Sequence, residues 1–262
     1  MELGTGLALF GSAEIVGKLL GPTADYIGEG VKELAQKSTQ NVKNIFSIAL
    51  KKLGNGISID GAVPPKVLKG ILSEGAFCDD PLAAEYFGGV LASSRSGVSR
   101  DDRGATLIGL ISRLSTYQIR YHYILYHFLK LVFNGSTENP GVAEGRIQRE
   151  LFIPEEALFL AMDFAKGEMA NNIIAHTLFG LAREMLIEDN FQTGSRDILQ
   201  KNFRQAPGPG LIFQPSVLGI ELFLWAYGKP NMNILDFFDV ENKFDIEASV
   251  KITSGALATK KI

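Results

Sequence analysis

The sequence predicts a mainly α-helical protein: a long-helix N-terminal bundle, then a winged-helix-like α+β C-terminal part with a small β-sheet. Three observations carry this reading. Apolar residues recur at steps of three and four through most of the first half. Capping residues, Pro and Gly punctuate that pattern where helices start and stop. In the second half, helical stretches alternate with short β-like runs around the turn cluster Pro207-Gly208-Pro209-Gly210.

The 262 residues suit one large domain or two small ones, with enough apolar content for a real core. With 26 basic and 29 acidic side chains the net charge is −3, which argues against coating nucleic acid by bulk charge. A single cysteine, Cys78, excludes a disulfide framework and a Cys-based zinc cluster, and fits a reducing compartment.

The N-terminal segment, 1–21, is Gly-rich and amphipathic. It lacks the basic start of a signal peptide. Glu14 and Lys18 interrupt it short of the roughly 20 apolar residues that a spanning helix needs. Leu7, Leu9, Phe10, Ile15, Val16, Leu19 and Leu20 are its candidate membrane residues; the preferred reading docks the segment on the protein's own core. A long helix follows over Thr23–Leu53, stopped by Gly54-Asn55-Gly56. Pro64-Pro65 opens a second helix with Val67, Leu68, Ile71 and Leu72 on one face. Asp79-Asp80-Pro81 opens a third, because Asp caps and Pro suits the first turn. One long helix is expected from Asp101 to Phe133, ending at Asn134-Gly135.

Residues 136–153 then read as a loop or linker between a helical domain (22–135) and a winged-helix-like domain (154–240). Pro154 opens a helix, and Met169–Ile187 holds one or two more. Leu211-Ile212-Phe213 is a strand, and Ser216 starts a last apolar helix. The phrases LAREMLIED and LIFQPSVLGIELF resemble the recognition-helix end and second wing strand of winged-helix modules. In the tail, 241–262, Phe244, Ile246, Ala248, Val250 and Ile252 alternate with polar residues, the pattern of a half-buried strand. Such a strand pairs with the wing or, in a homo-oligomer, with a second copy through 244–252.

No catalytic set emerges from the residue types, and no cofactor is implied. His122 and His127 lie five apart, about 140° round a helix, which does not make a metal pair. They and His176 read as structural. Cys78 precedes an acidic pair that disfavours its thiolate. The pairs Asp79-Asp80, Asp101-Asp102 and Glu155-Glu156 all sit at helix starts, where acids favour the dipole. The best anion-site candidate is the loop with Ser93, Ser94, Arg95, Ser96, Arg100 and Arg103, although a solvated loop is the commoner use of such composition. Arg183, Arg196, Lys201 and Arg204 form a candidate nucleic-acid or partner surface, offset by Glu184, Glu188, Asp189 and Asp197.

Three phrases place the chain in a biological setting: LGPTADYIGEGVKELAQKSTQNVKNIFSIALKKLG, VPPKVLKGILSEGAFCDDPLAAEYFGGVLASS and ATLIGLISRLSTYQIRYHYIL. They resemble the abortive-infection alpha (Abi-alpha) family of bacterial and prophage-borne phage-resistance proteins. The resemblance runs from about Leu20 to Leu125, with a weaker echo at VLGIELFLWAYG. It rests on Gly21-Pro22, Asn44, Pro64-Pro65, Asp80, Tyr86 and the helix end Leu91-Ala92-Ser93-Ser94, all of them packing or helix-end positions. It implies phage defence by an infected cell; together with the missing catalytic set it leads to a non-enzymatic cytoplasmic protein that acts by binding a protein partner or phage component. Two alternatives stand beside it: a membrane-disrupting effector using residues 1–20 on activation, and a winged-helix DNA-binding regulator, the less favoured.

Overall fold

A computed structural model describes residues 28–98, 100–242, 246 and 250–260, with side chains from residue 40 onward. The fold is mainly helical with one small four-stranded antiparallel sheet. The described chain forms two compact units. The first gathers 28–114 and 224–230; the second gathers 115–223, 231–242 and 250–260.

In the first unit, helix α1 (Gly28–Leu53) runs to the expected stop, where Gly54 adopts a left-handed φ of +49°. Helix α2 (Pro65–Glu74) buries Val67, Leu68, Ile71 and Leu72, the four residues its spacing selected. Helix α3 (Pro81–Ser93) starts as predicted: the Asp80 carboxylate accepts a 2.8 Å hydrogen bond from the Ala83 amide. Helix α4 (Arg103–Arg113) packs against α2 and α3. The core collects Val42, Ile45, Phe46 and Ala49 from α1 with Tyr86, Val90 and Leu91 from α3. Gly88-Gly89 lets α3 come close to its neighbours. A Cβ on Gly88 would lie 2.5 Å from Ile48, and one on Gly89 only 1.8 Å from the Ala226 carbonyl oxygen. A nearly buried ion pair, Lys52–Glu85 at 2.7 Å, ties α1 to α3.

The second unit begins where one continuous helix was expected. The helix over Asp101–Phe133 is instead two, α4 and α5 (Thr116–Val132). Leu114 is extended, and Ser115 restarts the helix with a capping box: its hydroxyl accepts from the Gln118 amide, and the Gln118 side chain accepts from the Ser115 amide at 2.8 Å. That local exchange satisfies the donors a new helix exposes, so it outcompetes the continuous apolar period.

The stretch 136–153 does not behave as a plain linker. It holds helix α6 (Ala143–Gln148) and most of strand β1 (Leu151–Pro154), and the two units part at Leu114–Ser115. Buried Arg149 organises it. Its guanidinium stacks 4.2 Å from the Phe238 ring, donates to Gly145 O and Ser136 Oγ, and lies 3.7 Å from Glu138. Helix α7 (Glu155–Met162) follows Pro154 as predicted. Helix α8 (Ala170–Arg183), strand β2 (Gln192–Gly194), short helix α9 (Arg196–Leu199) and strand β3 (Gly210–Phe213) come next. Helix α10 (Val217–Ala226) follows, its last three residues grouped with the first unit.

The sheet order is β2-β3-β1-β4, with Leu151 opposite Phe213 and Gln192 opposite Ile212. The tail strand falls later than its alternation predicted. Of 244–252, the described residues 246 and 250–252 are not in a strand; the others lie outside the described residues. Strand β4 is Leu257–Ala258, beyond a turn with Gly255 at φ +125°. It pairs with β1, and the Thr259 amide and Lys260 side chain both reach Glu150, so the tail is fixed in cis.

Replacing Gly89 with Ala should destabilise the protein by about 1–3 kcal/mol, because its Cβ meets backbone that cannot step aside. Urea denaturation checks this; wild-type stability would show that α3 does not depend on that approach.

Candidate functional site

The loop expected to bind anions turns its polar groups inward. Ser93 Oγ donates to Trp225 O at 2.9 Å, and Ser94 Oγ to Val90 O at 2.7 Å. Arg95 donates to the carbonyls of Gly56 and Ile57, and the Ser96 backbone bridges to Ala62. Arg103 forms a two-bonded pair with Asp101 and lies 5.2 Å from the Trp225 ring. That pairing holds the Asp101 carboxyl below its usual range. Arg100 is exposed. The structure therefore uses Ser93, Ser94, Arg95, Ser96 and Arg103 to bind the protein's own backbone and side chains.

The second surface is only partly assembled. Arg183, Arg196, Lys201 and Arg204 are all exposed, and Arg183 pairs with Glu184 at 3.2 Å. Helix α8, the expected recognition helix, shows Asn171, Asn172, Ala175, His176 and Phe179 to solvent, with Arg183 at its end. That face has one cation, too few to grip phosphates. The candidate membrane residues Leu7, Leu9, Phe10, Ile15, Val16, Leu19 and Leu20 lie outside the described residues. No helix among the described residues is long and apolar enough to cross a membrane.

The histidines separate, and no group of three His, Cys, Asp or Glu side chains with metal-binding geometry occurs among the described residues. His176 is exposed, and His127 rests against Tyr123 with ring centroids 5.5 Å apart. Cys78 is half-buried and its thiol donates to Asp80 O at 3.6 Å. Burial first, then the Asp80 charge, raises its pKa to about 11, so it is a thiol at neutral pH.

Within the second unit, α5 carries a buried polar stripe at one-turn spacing: Gln118, His122 and Tyr126. His122 Nε2–H donates to Gly219 O at 3.1 Å, and Tyr126 Oη donates to Leu186 O at 2.6 Å while accepting from the Ser216 amide at 3.1 Å. Each contact depends on a missing side chain opposite. A Cβ on Gly219 would lie 1.9 Å from Tyr126 Oη, and one on Gly180 only 1.7 Å from Gln118 Nε2. Burial lowers the His122 pKa from the usual 6.5 to about 3, against the Gly219 carbonyl's opposing pull, so the ring is neutral in the fold.

About 100° round the same helix from His122, Tyr121 lines an open cleft. The cleft has a volume of about 290 Å³ and lies between α5, the start of α7, α8 and strand β2. Buried Leu158 and Leu178 complete the floor, Ile174, Phe179 and Phe191 form an apolar wall, and exposed Glu155 sits on the rim. The Phe179 and Phe191 rings meet edge to face at 5.4 Å, yet Phe179 is 68% exposed. Tyr121 is wholly buried, and its hydroxyl has no hydrogen-bond partner among the described residues. Burial, and the Glu155 charge after it, push the phenol pKa up, so it stays protonated.

Sequence reasoning missed this cleft. Glu155 read as a helix-start acid, and Tyr121 fell unremarked within the long helix expected over Asp101–Phe133. The legible signal was Phe179, an aromatic on the polar side of α8. Compared with known proteins, the sequence matches no family model, no curated protein and no solved structure.

The buried neutral His122 gives a pH signature. The unfolded chain takes up a proton near pH 6.5 that the folded chain refuses until about pH 3, so this contribution is complete above 6.5 and drains as pH falls. Stability should decline through that window by up to about 1.4 kcal/mol per pH unit from this one proton. His122→Gln should remove that part of the slope; parallel pH profiles for the two proteins would contradict the assignment.

Proposed function

We propose that this protein is an abortive-infection-type defence protein that acts by binding a macromolecular partner. The setting is supported by the resemblance over Leu20–Leu125 to the Abi-alpha family. The mode of action is supported by one observation above the rest: the exposed Phe179, set edge to face with Phe191 beside strand β2, which ends the sheet order. A large aromatic held at the surface costs apolar exposure that its own fold does not recover. An edge strand next to it offers backbone groups for a partner.

In this reading the second unit is winged-helix-like. Helices α7 and α8 precede β2, the α9 insert precedes β3, and α10 closes the module. The α8 face then serves as a protein-binding surface. The Asn-, His- and Phe-bearing face of α8 favours this over DNA reading, which needs cations along the helix. The protein would work in the cytoplasm, with a phage component or a companion defence protein as partner. The membrane-effector alternative rests wholly on residues 1–20.

Cells expressing the protein, alone or with its neighbouring genes, should show reduced plating for at least one phage of a broad panel. Phe179→Asp should restore plating to the vector level while leaving the thermal melt unchanged, since the side chain is mostly exposed. Unreduced plating across the panel would overturn the defence reading. Full protection by Phe179→Asp would overturn the role of the α8 face.

A further inference from the structure

We propose that the groove between the turn after α9 and the tail is a binding site for a phosphate monoester, the doubly charged phosphate group of a small molecule. The groove lies wholly within the second unit.

It has a volume of about 240 Å³, with residues 202–205 on one side and 258–260 on the other. Arg204 and Lys260 stand far apart in sequence, and folding brings both to this one small concavity. Among the described residues no acidic side chain lines it, although acids outnumber bases 29 to 26 in the whole chain. A concave surface lined by cations and amides presents donors, and so suits an oxyanion.

Those donors are open to solvent. The Arg204 guanidinium is exposed and has no ion-pair or hydrogen-bond partner among the described residues, so its planar fork can take two oxygens of one phosphate. Lys260 is steadied rather than consumed. Its Nζ lies 3.2 Å from Glu150 Oε1, and its side chain stays 42% exposed. Glu150 is itself held by Gln214 Nε2 at 2.9 Å and by the Thr259 hydroxyl. One ion pair occupies one of three ammonium N–H groups, which leaves the others for a ligand. Asn202 gives one amide N–H to Gln192 and keeps the second, and Gln205 adds another amide.

Two cations match the nearly two charges of a monoester at neutral pH. A nucleic-acid backbone phosphate carries one charge and is gripped by a row of cations along the strand, which this single concavity does not supply. The site does not involve the α8 face, so its test stands apart from the defence reading.

Phenyl phosphate is the probe, titrated into the full chain and followed by NMR of the backbone amides. Shifts should concentrate at 202–205 and 258–260 and saturate in the millimolar range or below. Dimethyl phosphate, with one charge, should bind at least about tenfold more weakly. Arg204→Gln and Lys260→Gln should each weaken phenyl phosphate by about tenfold or more. Both residues are exposed, so these variants should melt close to the wild type, which separates lost binding from lost folding. Arg196→Gln, an exposed cation outside the lining, should leave the affinity unchanged. Shifts that fail to saturate at tens of millimolar, equal affinity for the two phosphates, undiminished binding in both lining variants, or tighter binding of a short DNA duplex at the same residues would overturn the proposal.

Discussion

The second unit depends on one constraint: a helix that presents polar side chains to the interior must find backbone for them to hold. Gln118, His122 and Tyr126 of α5 are buried, each one turn from the next. A polar group so placed costs free energy unless it is paired. His122 and Tyr126 pair with main-chain groups: the carbonyls of Gly219 and Leu186, and the Ser216 amide. Glycine is what lets the partners come near enough. Gly180 admits the Gln118 amide, and Gly219 admits the Tyr126 phenol. These bonds pin the turn after α8 and the turn into α10, and so fix α8 against α5. The cleft inherits its shape from that arrangement, with Tyr121 on its floor from α5 and Phe179 on its wall from α8.

This placement explains a contrast within the chain. Polar groups that looked available in sequence are consumed, and a few internal ones are unspent. Ser93, Ser94 and Arg95 satisfy carbonyls at the end of α3 and beyond, as interhelical loops must when their backbone is partly buried. The Tyr121 hydroxyl, buried beneath the cleft, is left without such a partner among the described residues, as are Arg149 Nε and Thr177 Oγ1.

Much of the fold was legible because helix ends are local chemistry. Asp80-Pro81, Pro154 and Ser216 each announce a start within a few residues, and Gly54 a stop. The break at Ser115 was legible in the same terms, since Ser-Thr-Tyr-Gln spells a capping box. The apolar period running unbroken from Leu107 to Val132 hid it. The tail was harder. Alternation states which residues suit a strand, whereas pairing depends on what lies alongside, and the edge offered by β1 is taken by Leu257–Ala258. The cleft was least legible. Its residues come from α5, α7, α8 and β2 and meet only after folding, and neither composition nor period reports whether an arginine or a tyrosine has found a partner.

A double-mutant cycle on Gly180 and Gln118 tests the glycine-gated stripe most directly. Added alone, the Gly180→Ala methyl meets the buried Gln118 side chain before any other group, and should destabilise the protein. In a Gln118→Ala background the methyl has room, and alanine is favoured over glycine in a helix by about 1 kcal/mol, so the same change should become neutral or stabilising. A coupling energy of about 1–3 kcal/mol between the two sites is the expected result. Additive effects, with Gly180→Ala equally costly in both backgrounds, would show that α5 does not hold α8 in this way.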